Sequence, residues 1–120
     1  MPNVIQPMLQ FQTQLRVFHW NTTSFSQHSA FGKAYEDLDE HIDDFVETFI
    51  GKYGRLESEQ QMTLSLKPLF TGNSTESILS EFESYLKSLT QDLGDNTDLL
   101  NIRDSILGVV NHLRYMLTLN

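Results

Sequence analysis

The chain has no cysteine, only three prolines, and no apolar run approaching the roughly 20 residues of a membrane-spanning helix. Without cysteine there are no disulfides and no thiolate metal sites. Any metal ligand must therefore be nitrogen or oxygen, which suits iron, manganese or zinc rather than a soft metal. Basic side chains are also scarce: 8 Lys and Arg stand against 16 Asp and Glu, a formal charge of −8. Such a balance leaves no basic footprint for nucleic acid. The opening residues, Met1 to Gln6, contain no Lys or Arg and lack the charged-then-apolar order of a secretory signal. The expectation is a soluble, cytoplasmic protein without direct contact to DNA. At 120 residues it reads as one domain, 1–120, with a single core and a size at which self-association adds appreciably to stability.

What the chain does have is helical spacing from end to end. Ile5, Met8, Phe11, Leu15, Phe18 and Thr22 advance by threes and fours, predicting a first helix over about 4–21 with Pro7 confined to its first turn. Thr22-Thr23-Ser24 supplies turn and capping residues. A second helix over about 27–51 carries Phe31, Tyr35, Leu38, Ile42, Phe45, Val46 and Phe49 on one face before Gly51 and Gly54 close it. The pattern loosens from Arg55 to Gly72, where Lys67-Pro68 predicts a bend in a crossover with at most short helical pieces. Asn73 with Glu76 three residues on resembles a capping arrangement for a third helix over about 74–92. Gly94-Asp95-Asn96-Thr97 breaks that helix, and a fourth runs over about 97–118. No strand pattern competes. The fold class is all-α: two helical hairpins joined by a crossover into a four-helix bundle.

The chemistry concentrates in the first two helices. His19 falls inside the apolar arc of the first, where an unpaired polar ring would be costly to bury, so it needs a partner. On the second, His28, Gly32, Glu36, Asp39, Asp43 and Glu47 form a stripe flanking the apolar face, and Asp43 and Glu47, four apart, can clamp one ion from successive turns. The fifteen residues from His28 to Asp43 rise about 22 Å along a helix, beyond the reach of one ion. If these residues share a metal, two copies supply it. Antiparallel packing of two second helices about a two-fold axis near residues 36 to 38 brings His28 of one copy level with Asp43 and Glu47 of the other. Blander readings exist for each residue. His19 alone reads equally as a hydrogen-bonded core residue, His28 as the start of a helix, and Glu36, Asp37, Asp39, Glu40 and Asp44 as a solvated face. Trp20 and Tyr35 read as interface aromatics, and His41 and His112 as structural.

The run Phe18-His19-Trp20-Asn21, followed by His28, Tyr35 and the Asp43-x-x-x-Glu47 pair, resembles the ferritin-like mini-ferritins of the Dps type. That resemblance implies a ferritin-like bundle in homo-oligomers, at least dimers and in a closed shell dodecamers. It implies an intersubunit ferroxidase site that oxidises Fe(II), usually with hydrogen peroxide, and serves iron storage or oxidative-stress protection. On this resemblance His19 and His28 are the histidine ligands of one subunit, and Asp43 and Glu47 the carboxylates of its mate. Where the family has a further aspartate one turn after the second histidine, this chain has Gly32. The same departure motivates a second expectation, a helical protein that has kept the fold as an interaction or assembly module.

Overall fold

The computed structural model describes residues 3–57, 59–68 and 72–120. Four helices form: α1 (Ile5–Asn21), α2 (Phe25–Tyr53), α3 (Gly72–Leu93) and α4 (Thr97–Met116), with no strand among the described residues. Each boundary has a local cause. Asn3 Oδ1 accepts the Ile5 N–H at 3.1 Å, and Pro7 sits in the first turn of α1, where its missing N–H is harmless. Ser24 caps α2 by accepting from the Gln27 N–H. Gly54 then ends α2 at φ +89°, a conformation open to glycine, and Gly94 turns the chain between α3 and α4 at φ +52°.

The second helix starts two residues earlier and ends two later than its spacing predicts, because Ser24 is the operative cap and Gly51 lies inside the helix. The third also starts earlier, at Gly72, and the cap expected from Asn73 rests on a side chain outside the described residues. The expected short helical pieces of the crossover are absent from its described residues, 55–57 and 59–68.

At about 1.5 Å per residue the 29 residues of α2 extend about 43 Å, matching the 42 Å long dimension of the molecule. It is the spine. Helix α1 packs along one side of α2 and α4 along another, while α3 packs on α4 and touches α1 only lightly. The apolar faces read from the sequence meet in one core that includes Met8, Leu15, Phe18, Phe31, Leu38, Phe45, Leu86, Leu99, Ile106 and Leu113. Two long polar side chains are buried with it, Gln14 and Arg103. Arg103 donates from Nη1 to the Leu86 carbonyl at 2.7 Å and to Thr90 Oγ1 at 2.8 Å, so α4 holds α3 through a charged hydrogen bond as well as through packing.

The crossover is an extended strap. Thr63 O accepts from Gln6 Nε2 at 3.1 Å, the Ser65 N–H donates to Gln10 Oε1 at 3.0 Å, and Gln14 grips Lys67 both ways, at 2.7 Å to its N–H and 2.8 Å to its carbonyl. Asn21 Nδ2 donates to the Pro68 carbonyl. The register has a simple origin. Four residues of helix rise about 6 Å and two residues of extended chain about 6.6 Å, so glutamines every four along α1 meet every second residue of the strap. The strap therefore climbs beside α1 from the end of α2 to the start of α3. This sets α2 and α3 parallel and leaves each hairpin antiparallel.

Candidate functional site

His19, near the end of α1, and His28, one turn into α2, face each other across the short turn at Thr22-Thr23-Ser24. Their rings stack with centroids 3.7 Å apart and planes 19° from parallel. Each ring also bonds the other helix. His19 Nδ1 donates to the His28 carbonyl at 2.6 Å, and His28 Nδ1 donates to the His19 carbonyl at 2.8 Å. A carbonyl can only accept, so both Nδ1 atoms carry the hydrogen, and in the neutral rings both Nε2 atoms keep their lone pairs. This is the partner His19 required, and it comes from backbone as well as from the second imidazole. A ring nitrogen tied to a carbonyl while its opposite stays free is the arrangement that orients a metal-ligating histidine.

Gly32 explains how the pair fits. A Cβ at that position would lie 2.9 Å from His19 Cε1 and 3.1 Å from His19 Nδ1. Both are too close for any side chain while the ring stays tied to His28. The glycine that reads in the sequence as a missing aspartate is thus the seat of the His19 ring. On the other side, Tyr35 presents its ring edge-on to His19 at 5.3 Å, and the Arg16 guanidinium covers Tyr35 at 4.6 Å. Gln12 donates to the Tyr35 carbonyl at 3.2 Å and to Asp39 Oδ1. The outer seam of the α1/α2 hairpin is therefore a continuous row of polar and aromatic contacts.

Asp43 and Glu47 stand apart from it. Both are exposed on the same outward side of α2, and α2 runs unbroken from His28 through both, so the separation of about 22 Å along the helix holds in the folded chain. Among the described residues, no three His, Asp or Glu side chains of one chain gather into a metal-holding group. The structure thus brings together His19 and His28 and leaves Asp43 and Glu47 at the other half of the same helix. Near-parallel rings direct their in-plane lone pairs along near-parallel planes. As they stand, the two imidazoles each offer one ligand rather than chelating a single ion between them.

Trp20 is 70% and Phe25 82% exposed, so the aromatics flanking the histidine pair are presented to the surroundings rather than to the core. His112 is exposed and lies 6.2 Å from the Tyr115 ring. Sequence reading missed Gln6, Gln10 and Gln14, whose spacing of four was the available signal, and missed Arg103, which sits on the apolar stripe of α4 between Leu99 and Ile106.

A family model described as a family of unknown function, DUF5856, matches residues 19–117, and the chain belongs to that family. No curated protein and no solved structure matches the chain.

Proposed function

For this member of the DUF5856 family, we propose an iron-oxidising role of the mini-ferritin kind, at a site that two copies complete together. His19 and His28 of one copy supply nitrogen, and Asp43 and Glu47 of the other supply carboxylates. The observation that carries this reading is the pair of Nδ1-to-carbonyl bonds, which leaves two oriented Nε2 atoms with their lone pairs unspent. The donor set suits Fe(II): imidazoles hold the reduced ion and hard carboxylate oxygens favour the oxidised one. Two imidazoles that address separate positions suit two ferrous ions as substrate. Each gives up one electron, and one hydrogen peroxide takes both; its O–O bond breaks and two protons complete two waters. Charge favours the pairing. An antiparallel second copy sets Asp43, Asp44 and Glu47 against the half of the hairpin that carries Arg16, His28 and Lys33. Storage of ferric oxide, and a role in oxidative-stress protection, require further copies that close a shell.

Anaerobic Fe(II) titration, followed by peroxide and ultraviolet detection of Fe(III), tests the proposal. The wild type should bind Fe(II) and oxidise it faster than buffer, and Glu47→Gln, a surface change remote from the core, should lose both properties. A wild type that binds no Fe(II) removes the proposal.

A second reading rests on the stack itself. Two reciprocal bonds and a ring contact of 3.7 Å already pin the end of α1 to the start of α2. On this reading the pair is a structural clamp, and the chain is a helical interaction module whose exposed Trp20 and Phe25 engage a partner. Loss of folding stability in His28→Ala, with no Fe(II) binding by the wild type, is its signature.

A further inference from the structure

The lightly packed side of the bundle, between α1 and α3, encloses a cavity of about 270 Å³ roofed by the strap. Its apolar wall is made by Phe11 and Phe82, whose rings stack 3.9 Å apart and 8° from parallel, together with Ile78. The polar groups around it are unevenly spent. Gln10 Oε1 accepts twice, from Gln6 and from Ser65, while its Nε2 donates to none of the described residues. The Lys67 ammonium has no ion-pair partner among the described residues. Tyr85, whose ring lines the cavity, holds the one buried side-chain oxygen or nitrogen without a hydrogen bond among the described residues. Burial, with a further push from the charge of Asp92, raises that phenol to about 12, so it remains a protonated donor near neutrality. Against these three donors stands one carboxylate, Glu81, whose Oε1 accepts from Ser77.

An apolar slot bordered by unspent donors selects a ligand with an apolar body and acceptor oxygens. A neutral guest would leave the donors unmade, and a cationic one would meet Lys67. The geometry points to a second binding site, separate from the histidine pair, for a small arene carboxylate. Its ring lies against Phe11, Ile78 and Phe82, and its carboxylate accepts from Tyr85, Gln10 and Lys67. Ligand entry passes under the strap, which is held by neutral amide bonds rather than by buried apolar side chains.

The test uses 2-naphthoate on the full chain, read by amide and aromatic NMR shifts and by calorimetry. Binding should move the Ser65 and Lys67 amides and the Phe82 and Tyr85 rings. The neutral 2-naphthamide should bind about tenfold more weakly, the difference expected when a charge-assisted hydrogen bond is lost. Tyr85→Phe keeps the ring and the fold. It should weaken 2-naphthoate several-fold while raising the melting temperature of the free protein, because it removes an unmade buried hydroxyl. Lys67→Met should weaken binding by a smaller factor, since that ammonium is exposed. Absence of shifts at millimolar 2-naphthoate, equal binding of the amide, or unchanged affinity in Tyr85→Phe would each overturn the proposal. None of these readouts involves iron, so the result stands apart from that of the histidine site.

Discussion

The two sides of the bundle are closed by different chemistry. Between α2 and α4 the contact is dry, made by Leu38, Ile42, Phe45, Leu99, Ile106, Val110 and Leu113. Between α1 and α3 the helices meet lightly, and amide groups on α1 hold an extended strap across the gap. A dry seam is stabilised by area removed from water and tolerates little change of shape. A strap held by neutral hydrogen bonds gains about 1 kcal/mol for each, so it sits near the low end of the local-stability range. The proposed iron site lies on the rigid hairpin and the proposed carboxylate cavity lies under the loose side.

Substitutions on the dry side should have the largest effects. Phe45→Ala opens a cavity beneath a fully buried ring and should cost about 3–5 kcal/mol, read by chemical denaturation. Gln14→Ala, on the strap side, removes two bonds to Lys67 from a buried side chain and should cost about 2 kcal/mol. Hydrogen exchange at Ser65 and Lys67 should rise with it, while the α2 and α4 amides stay protected. Equal deprotection of both sides would show that the strap and the core open together, and the contrast would fail.

Gly32→Ala probes the hairpin between the two. Replacing glycine in a helix normally gains about 1 kcal/mol. Here the new methyl meets a ring that is tied at Nδ1 and stacked, and overpacking of this kind costs about 1–3 kcal/mol. A net loss of roughly 1 kcal/mol is expected, with the ring proton shifts of His19 and His28 moving apart as the stack breaks. A stabilised variant with an intact stack would show that His19 has room to spare.

The smallest effect belongs to an exposed ion pair at the opposite end. Lys52 Nζ lies 2.7 Å from Asp98 Oδ1, and chiefly through that hydrogen bond it holds the Asp98 carboxyl below its ordinary 3.8. A carboxyl lowered in the folded state stabilises above its unfolded value and ceases to do so as pH falls through its folded value. The melting temperature of Lys52→Met should therefore trail that of the wild type slightly at neutral pH and converge with it in acid.

Periodicity made the dry side legible in the sequence, because apolar residues at threes and fours have one physical use in a helix. All four helices and the crossover follow from it, with ends displaced by a few residues where Ser24 or Gly54 caps instead of a neighbour. The strap side was not legible in the same way. Gln6, Gln10 and Gln14 look like ordinary surface residues until an extended segment lies beside them, and no local rule says that a distant strand will. At the candidate site the sequence showed which residues carry nitrogen and oxygen, and helix length showed that one chain cannot unite them. It did not show that the two rings stack. Nor did it show that Gly32 is there for His19, a relation between two helices rather than a spacing within one.

The central claim, a site divided between two copies, is tested most directly by mixing two inactive variants. His28→Ala and Glu47→Gln, each folded by circular dichroism, should separately bind no Fe(II). In an equimolar mixture allowed to exchange subunits, half the dimers are mixed and each mixed dimer has one of its two sites intact, so binding should return to about a quarter of the wild-type capacity. A mixture that binds no more Fe(II) than either variant alone contradicts the shared site.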